Sequence, residues 1–317
     1  MSYRYTNYNE KKKSNVNINI KKIVIICLIV FLFLSISTFT IILIKNNIGT
    51  IHKEKEIQTS YKKMFFQKNY IELIEKMDKE LKISPFDVEY LVYRGYSYFF
   101  LGEDEKNIDK RKFFFSISIS DLRKAMAIGV PTKNKPNLFF CIGKIYYYFG
   151  ESYYNLSIEY LNNSLKAGNK RKDLYYILGL NYSYIGNYSE AIKTFTEALN
   201  IEESDLTLLA IGVSHFKKGD FENAKIFLEK VIKISNEPKI KEKSLLLMGE
   251  ILFEQKIYDQ AKDYFDKVIE INENNSSAYF YRGEVYFITN NPVKARAEWR
   301  KTLEIDPSHI RALKRIY

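Results

Sequence analysis

From residue 54 to residue 309 the apolar residues recur at i, i+3, i+4 and i+7, in runs separated by short polar stretches. That spacing is the period of an α-helix with one buried face, so the pattern predicts helices in pairs. The separators read as turns: Gly186-Asn187, Lys218-Gly219-Asp220 and Asn290-Asn291. Pro85 and Pro307 fall just past second helices, where a helix must stop. A second signal differs in kind. Residues 23–44, "IVIICLIVFLFLSISTFTIILI", carry no charge and show no polar face.

The helical pairs share one frame. Gly283 and Ala295 lie under Gly249 and Ala261, under Gly212 and Ala224, and under Gly179, Ala191 and Ala198, at steps of 34, 37 and 33 residues. Earlier units are weaker. One holds Gly143 with Ser157 and Ser164 where Ala would stand, and about two extra residues. Another holds Gly95 and Tyr98, then Ser118 and Ala125 after an expected insertion near "EDEKNIDKRKF". Residues 61–85 form a degenerate first unit, which makes seven. A mid-helix Gly costs roughly 0.5–1 kcal/mol against Ala. Its return at one frame position therefore implies close helix packing, with the alanines as counterparts on the second helix. Helical hairpins that cannot bury their faces alone must stack into an array.

Gly at the eighth position, an aromatic at the eleventh (Tyr98, Tyr146, Tyr182, Tyr286), Ala at the twentieth and Pro at the thirty-second resemble the tetratricopeptide repeat. The resemblance covers about four-fifths of the chain. Departures are Val231, Val268 and Thr302 at the small twenty-seventh position and His215 at an eleventh. The resemblance implies an all-α, right-handed solenoid of about seven helix pairs, with first helices lining a concave face that binds a partner. On this chain the groove positions become Tyr96, Phe99, Phe140, Lys144, Tyr147, Tyr176, Leu209, Phe216, Leu246, Glu250, Phe253, Phe280, Glu284 and Phe287. A partner helix or extended peptide fits such an aromatic stripe. The competing account is that much of the stripe packs between neighbouring helices. Only Lys144 suits the lysine/asparagine clamp with which some family members hold a C-terminal carboxylate, so that mode is not expected.

Residues 23–44 number 22, and at ~1.5 Å per residue they span roughly 33 Å, a bilayer core. Ser35, Ser37, Thr38 and Thr40 can bond back to the helix backbone. A cleaved signal peptide is the rival, but no small-residue cleavage site follows the run. A lipoprotein box ending at Cys27 fails, because Val24, Ile25 and Ile26 precede it. Lys11, Lys12, Lys13, Lys21 and Lys22 lie on one side, Lys45, Lys53 and Lys55 on the other. Five against three places the N-terminus inside and the array on the extracytoplasmic side. The expected division is a basic tail at 1–22, a transmembrane helix at 23–44, a linker at 45–53, the array at 54–309 and a capping helix at 310–317.

Net charge is +11 over 317 residues, but residues 1–60 contribute +6 of it, which argues against a nucleic-acid footprint on the array. Gly and Pro number only 13 and 6, which disfavours a turn-dense β fold. Cys27 and Cys141 lack metal-ligand spacing and read as buried small hydrophobes. His52, His215 and His309 are dispersed, and His215 reads as a packing residue. Phosphate-loop, dinucleotide, zinc and serine-hydrolase motifs are missing. The expectation is a non-enzymatic scaffold in the cytoplasmic membrane, without a cofactor, contacting a protein partner and the bilayer through residues 23–44. The alternative is an accessory subunit of an envelope enzyme or secretion machine.

Overall fold

The computed structural model describes residues 31–33, 35–41, 43–45 and 58–317. The chain divides into two compact units, Met1–Asn69 and Tyr70–Tyr317. In the first, the described residues 31–45 and residues 58–66 are helical. Phe31, Phe33, Ile36, Phe39, Ile41 and Ile44 are exposed. Ser35, Thr38 and Thr40 donate to the carbonyls of Leu32, Ser35 and Ser37 at 2.8, 2.9 and 2.8 Å, as the sequence anticipates. The remainder of the expected span (residues 23–30, 34 and 42), the basic tail 1–22 and linker residues 46–53 lie outside the described residues. Among the described residues no helix is long and apolar enough to cross a membrane.

The second unit begins with α1 (Tyr70–Ile83) and continues as six helix pairs. These are α2 (Val88–Asp104) with α3 (Ile108–Ile128), α4 (Lys135–Phe149) with α5 (Tyr154–Lys166), and α6 (Lys172–Tyr184) with α7 (Tyr188–Ile201). Then come α8 (Asp205–Lys218) with α9 (Phe221–Ile234), α10 (Pro238–Glu254) with α11 (Tyr258–Ile271), and α12 (Ser276–Ile288) with α13 (Pro292–Ile305). The short α14 (Ile310–Ile316) closes the unit. Local chemistry starts these helices where it should. Asp87, Asn107, Asn187, Asp220 and Asn275 accept from backbone N–H groups of the first turns, and Pro238 and Pro292 stand at the first turn of α10 and α13.

Each helix packs on the one before and the one after. Successive first helices also touch: α2 with α4, α4 with α6, α6 with α8, α8 with α10 and α10 with α12. No pair of successive second helices approaches as closely. The first helices therefore form the inner face of the array.

The repeated glycine has the packing role its recurrence implies. A Cβ on Gly143, Gly179, Gly249 or Gly283 would come within 2.8, 2.6, 2.5 and 2.7 Å of Leu161, Phe195, Phe265 and Trp299 of the paired helix. Those four side chains are buried, as are Ala191, Ala224, Ala261 and Ala295. Where serine replaces that alanine, its hydroxyl bonds across the pair. Ser118 donates to Gly95 O and Ser157 to Gly143 O, both at 2.7 Å.

The expected insertion near residues 103–113 is not a loop. It lengthens α2 to 17 and α3 to 21 residues, leaving only residues 105–107 between them. Acidic and basic residues interrupt the apolar period there, yet they are good helix formers, and Asn107 caps α3. The extra length of the next unit is taken up by a three-residue 3₁₀ turn at Glu151–Tyr153.

Seven residues past the frame glycine, the chain enters the left-handed region at Gly150, Gly186, Gly219, Lys256 and Asn290, with φ of 93°, 78°, 83°, 64° and 59°. Ile257 N–H then bonds to Leu252 O at 2.8 Å, which closes α10. A left-handed conformation costs a side-chain-bearing residue ~1–2 kcal/mol, against ~0.5–1 kcal/mol of added chain entropy for Gly. Lys256→Gly is therefore expected to stabilise the array by about 0.5–1 kcal/mol in urea unfolding; a loss would contradict the strained turn.

Candidate functional site: the inner face

The fourteen groove positions all fall on first helices, but they divide by burial. Phe99, Phe140, Leu246, Phe280 and Glu284 are buried. Tyr96, Lys144, Tyr147, Tyr176, Leu209, Phe216, Glu250 and Phe253 are half-buried, and Phe287 is exposed. The buried five pack between neighbouring helices and leave no open surface. The open stripe runs along α4, α6, α8 and α10.

At the α2–α4 end, Lys144 is paired with Glu103 and lies 5.9 and 5.8 Å from the Phe99 and Phe140 ring centroids. Arg171 also lies over the Phe140 ring, at 4.6 Å. The one lysine with the right placement for a carboxylate clamp is thus engaged within the fold. Burial also pushes the neighbouring Cys141 thiol up, consistent with an inert packing cysteine. Between α4 and α6 the stripe is tyrosine. Tyr154 and Tyr184 stack at 5.0 Å and 12°, and Tyr147 lies 6.3 and 6.4 Å from them. Burial raises the Tyr147 and Tyr176 hydroxyls above their ordinary range, so they stay protonated donors.

The middle of the stripe is apolar. Leu209, Val213 and Phe216 on α8 pack down onto the core formed by Ala224, Leu228, Leu247, Met248 and Ile251. His215 faces away from it. Its ring stacks on Phe227 at 5.6 Å and 11°, and Nδ1 meets the Asp220 carboxylate at 2.9 Å. That is the packing role the sequence gives it.

At the far end α14 enters the groove. Arg311 lies over Phe280 and Tyr281 at 4.3 and 4.8 Å and donates to the Tyr281 hydroxyl at 3.1 Å. Arg315 donates twice to the Glu284 carboxylate, at 2.8 and 2.5 Å, and lies over Phe287 and Trp299 at 5.2 and 5.5 Å. His309 packs on Phe280 at 5.0 Å. The two arginines of this closing helix thus turn onto α12 and cover its groove positions. Their i, i+4 spacing puts them on one helix face, which is the signal that was available.

Residues 145–313, just over half of the chain, match the model of the tetratricopeptide repeat protein 21 N-terminal ARM repeat. The chain belongs to that family. The ARM-repeat match holds α5 to α13 whole, the stretch in which the glycine–alanine frame is most regular. No curated protein matches the sequence. Among solved structures, the C-terminal part of a TPR repeat-containing protein from Cytophaga hutchinsonii is similar at TM-score 0.61 and 20% identity, over 82% of this chain and 99% of its own. The pilF protein of Pseudomonas aeruginosa is similar at 0.53 and 16%, over 69% and 95%. A chain of the APC/C hetero-tetramer Cut9–Hcn1 is similar at 0.51 and 16%, over 81% and 47%. At these identities the likeness is one of fold: an all-helical array of TPR/ARM-like pairs.

Proposed function

We propose that the chain is a membrane-anchored interaction scaffold, without catalysis of its own, that holds a partner protein on its inner face. The observation that carries this is the open stripe Tyr147, Tyr176, Leu209, Phe216 and Phe253. It is aromatic and aliphatic, it runs over four successive first helices, and none of its members is fully buried. A run of partly exposed apolar side chains of this kind is a candidate contact surface on a folded protein. Aromatic rings give large contact area at low entropy cost.

The anchor is residues 23–44. Its support is the uncharged 22-residue run and the exposure of its described helical residues. The lysine asymmetry supports an N-terminus inside and an extracytoplasmic array. A C-terminal reporter active only outside the cytoplasm should light up, and no signal would reverse the placement.

The groove itself is tested by site-specific photo-crosslinking in intact cells. A probe at Phe216 should capture a partner that a probe at Val293, exposed on α13, does not. Phe216→Ala with Phe253→Ala should weaken that capture by roughly tenfold or more. Equal capture from both probes would remove the inner face from the function. A captured hydrolase or synthase would make the chain that enzyme's accessory subunit.

A further inference from the structure

Three cations on three helices lie within electrostatic reach of Glu250 on the inner face. Lys217 lies in the last turn of α8, Lys243 stands on the groove face of α10, and Arg311 belongs to α14. All three residues are exposed. Among the described residues Lys217 and Arg311 contact rings and a hydroxyl rather than carboxylates. Lys217 lies 5.9 Å over Phe216, and Arg311 covers Phe280 and Tyr281 and donates to the Tyr281 hydroxyl. Other inner-face cations are engaged by the fold, Lys144 by Glu103 and Arg315 by Glu284.

Glu250 shares one face of α10 with Lys243, Leu246 and Phe253, at helical spacings of seven, four and three residues. Desolvation raises its carboxyl above the usual carboxylate range, while Lys243, the Tyr281 hydroxyl, Lys217 and Arg311 all pull it back down. Three cations against one half-buried carboxylate leave this end of the groove positive. The floor beside them is apolar: Leu209, Val213 and Phe216 on α8, with Phe253 on α10.

We propose that this end of the groove takes an acidic segment of the partner, with aliphatic or aromatic side chains on the α8–α10 floor and Asp or Glu side chains facing Lys217, Lys243 and Arg311. This rests on the groove reading above and names the class of partner. Side-chain carboxylates fit better than a chain end, because cations distributed over three helices match several anions rather than one. Charges at the edge of a contact surface select the partner by complementarity.

The test is a selection of random peptides, displayed with their C-termini fused, against the detergent-solubilised full chain. Enriched peptides should carry Asp or Glu beside bulky apolar residues and should weaken as salt rises. They should bind Lys217→Gln/Lys243→Gln/Arg311→Gln roughly tenfold more weakly and Glu250→Gln more tightly. The substituted cations are exposed, and unchanged melting midpoints would show that the variants fold. Enriched peptides that lack acidic residues, or that bind the triple variant as well as the parent, would overturn the acidic class and leave the groove reading standing. No groove-competing peptide at all would overturn the groove reading and this inference with it. A parallel library with free C-termini that alone gave acidic binders would overturn the side-chain assignment in favour of a terminal carboxylate.

Discussion

Phe265→Ala is expected to lower the stability of the array by about 3–5 kcal/mol, the range for truncating a fully buried aromatic. Phe265 is 0% exposed, and Tyr281 stacks on its ring at 5.4 Å and 10°. Leu245, Leu246, Ala261, Val268 and Ala278 complete the same core. Its ring fills the space left by the missing side chain of Gly249, so no neighbour there can swing in to refill the cavity. Phe265→Leu should cost much less, about 1–1.5 kcal/mol, because Leu occupies the same slot in other units as Leu122, Leu161 and Leu228. Urea unfolding followed by circular dichroism gives both numbers, provided the slope is unchanged. Array stability is a sum of units and nearest-neighbour interfaces, so faster amide exchange should concentrate in α10, α11 and α12. A loss below about 1 kcal/mol for the alanine variant would refute close packing at the glycine slot.

The second large effect is electrostatic. Arg94 ties three helices together. Its guanidinium donates twice to Asp121 of α3, at 2.8 Å each, and once to Asp78 of α1, at 2.7 Å. Asp121 is only 4% exposed, and the hydrogen bond to it is the chief reason the guanidinium holds its proton even more firmly than usual. Arg94→Met leaves that carboxylate buried and alone. Removing one partner of a buried pair costs ~3–5 kcal/mol. Here the Arg94 side chain is 23% exposed and partly screened, which favours the lower end, about 3 kcal/mol. Arg94→Met with Asp121→Leu should recover at least half of the loss, because the stranded charge is gone. If the double variant is no more stable than the single one, the penalty does not come from the unpaired carboxylate. The arrangement recurs at the same frame position in the last unit, where Arg282 joins Asp266 of α11 to Glu298 of α13 at 2.7 and 2.9 Å.

Not all of this was legible in the chain. The glycine–alanine frame was, since close approach of two helices leaves no room for a side chain and so repeats in every unit. Helix ends were legible too, because Gly219 and Asn290 adopt a backbone most residues avoid and Asn187 and Asp220 satisfy free N–H groups. The lengths of α2 and α3 were not, because residues 103–104 and 108–112 are helical without an apolar period to show it. Arg94 and Arg282 were not singled out either. An arginine beside the frame glycine looks like any surface residue until carboxylates from the helices before and after it arrive.

The stripe on the inner face divides in the same way. The apolar period placed Phe99, Phe140, Phe216 and Phe253 on first helices, and the resemblance to the tetratricopeptide repeat implied groove positions for them. Burial then separated them, Phe99 and Phe140 into helix contacts and Phe216 and Phe253 onto the open face. A phenylalanine that packs and one that stays partly open have the same period, so no spacing rule distinguishes them. The sequence by itself determined the helices, their pairing and the repeat, because these follow from contacts within about forty residues. The tertiary structure alone decided which inner-face groups stay open and which are taken by α14, because that depends on how neighbouring units meet.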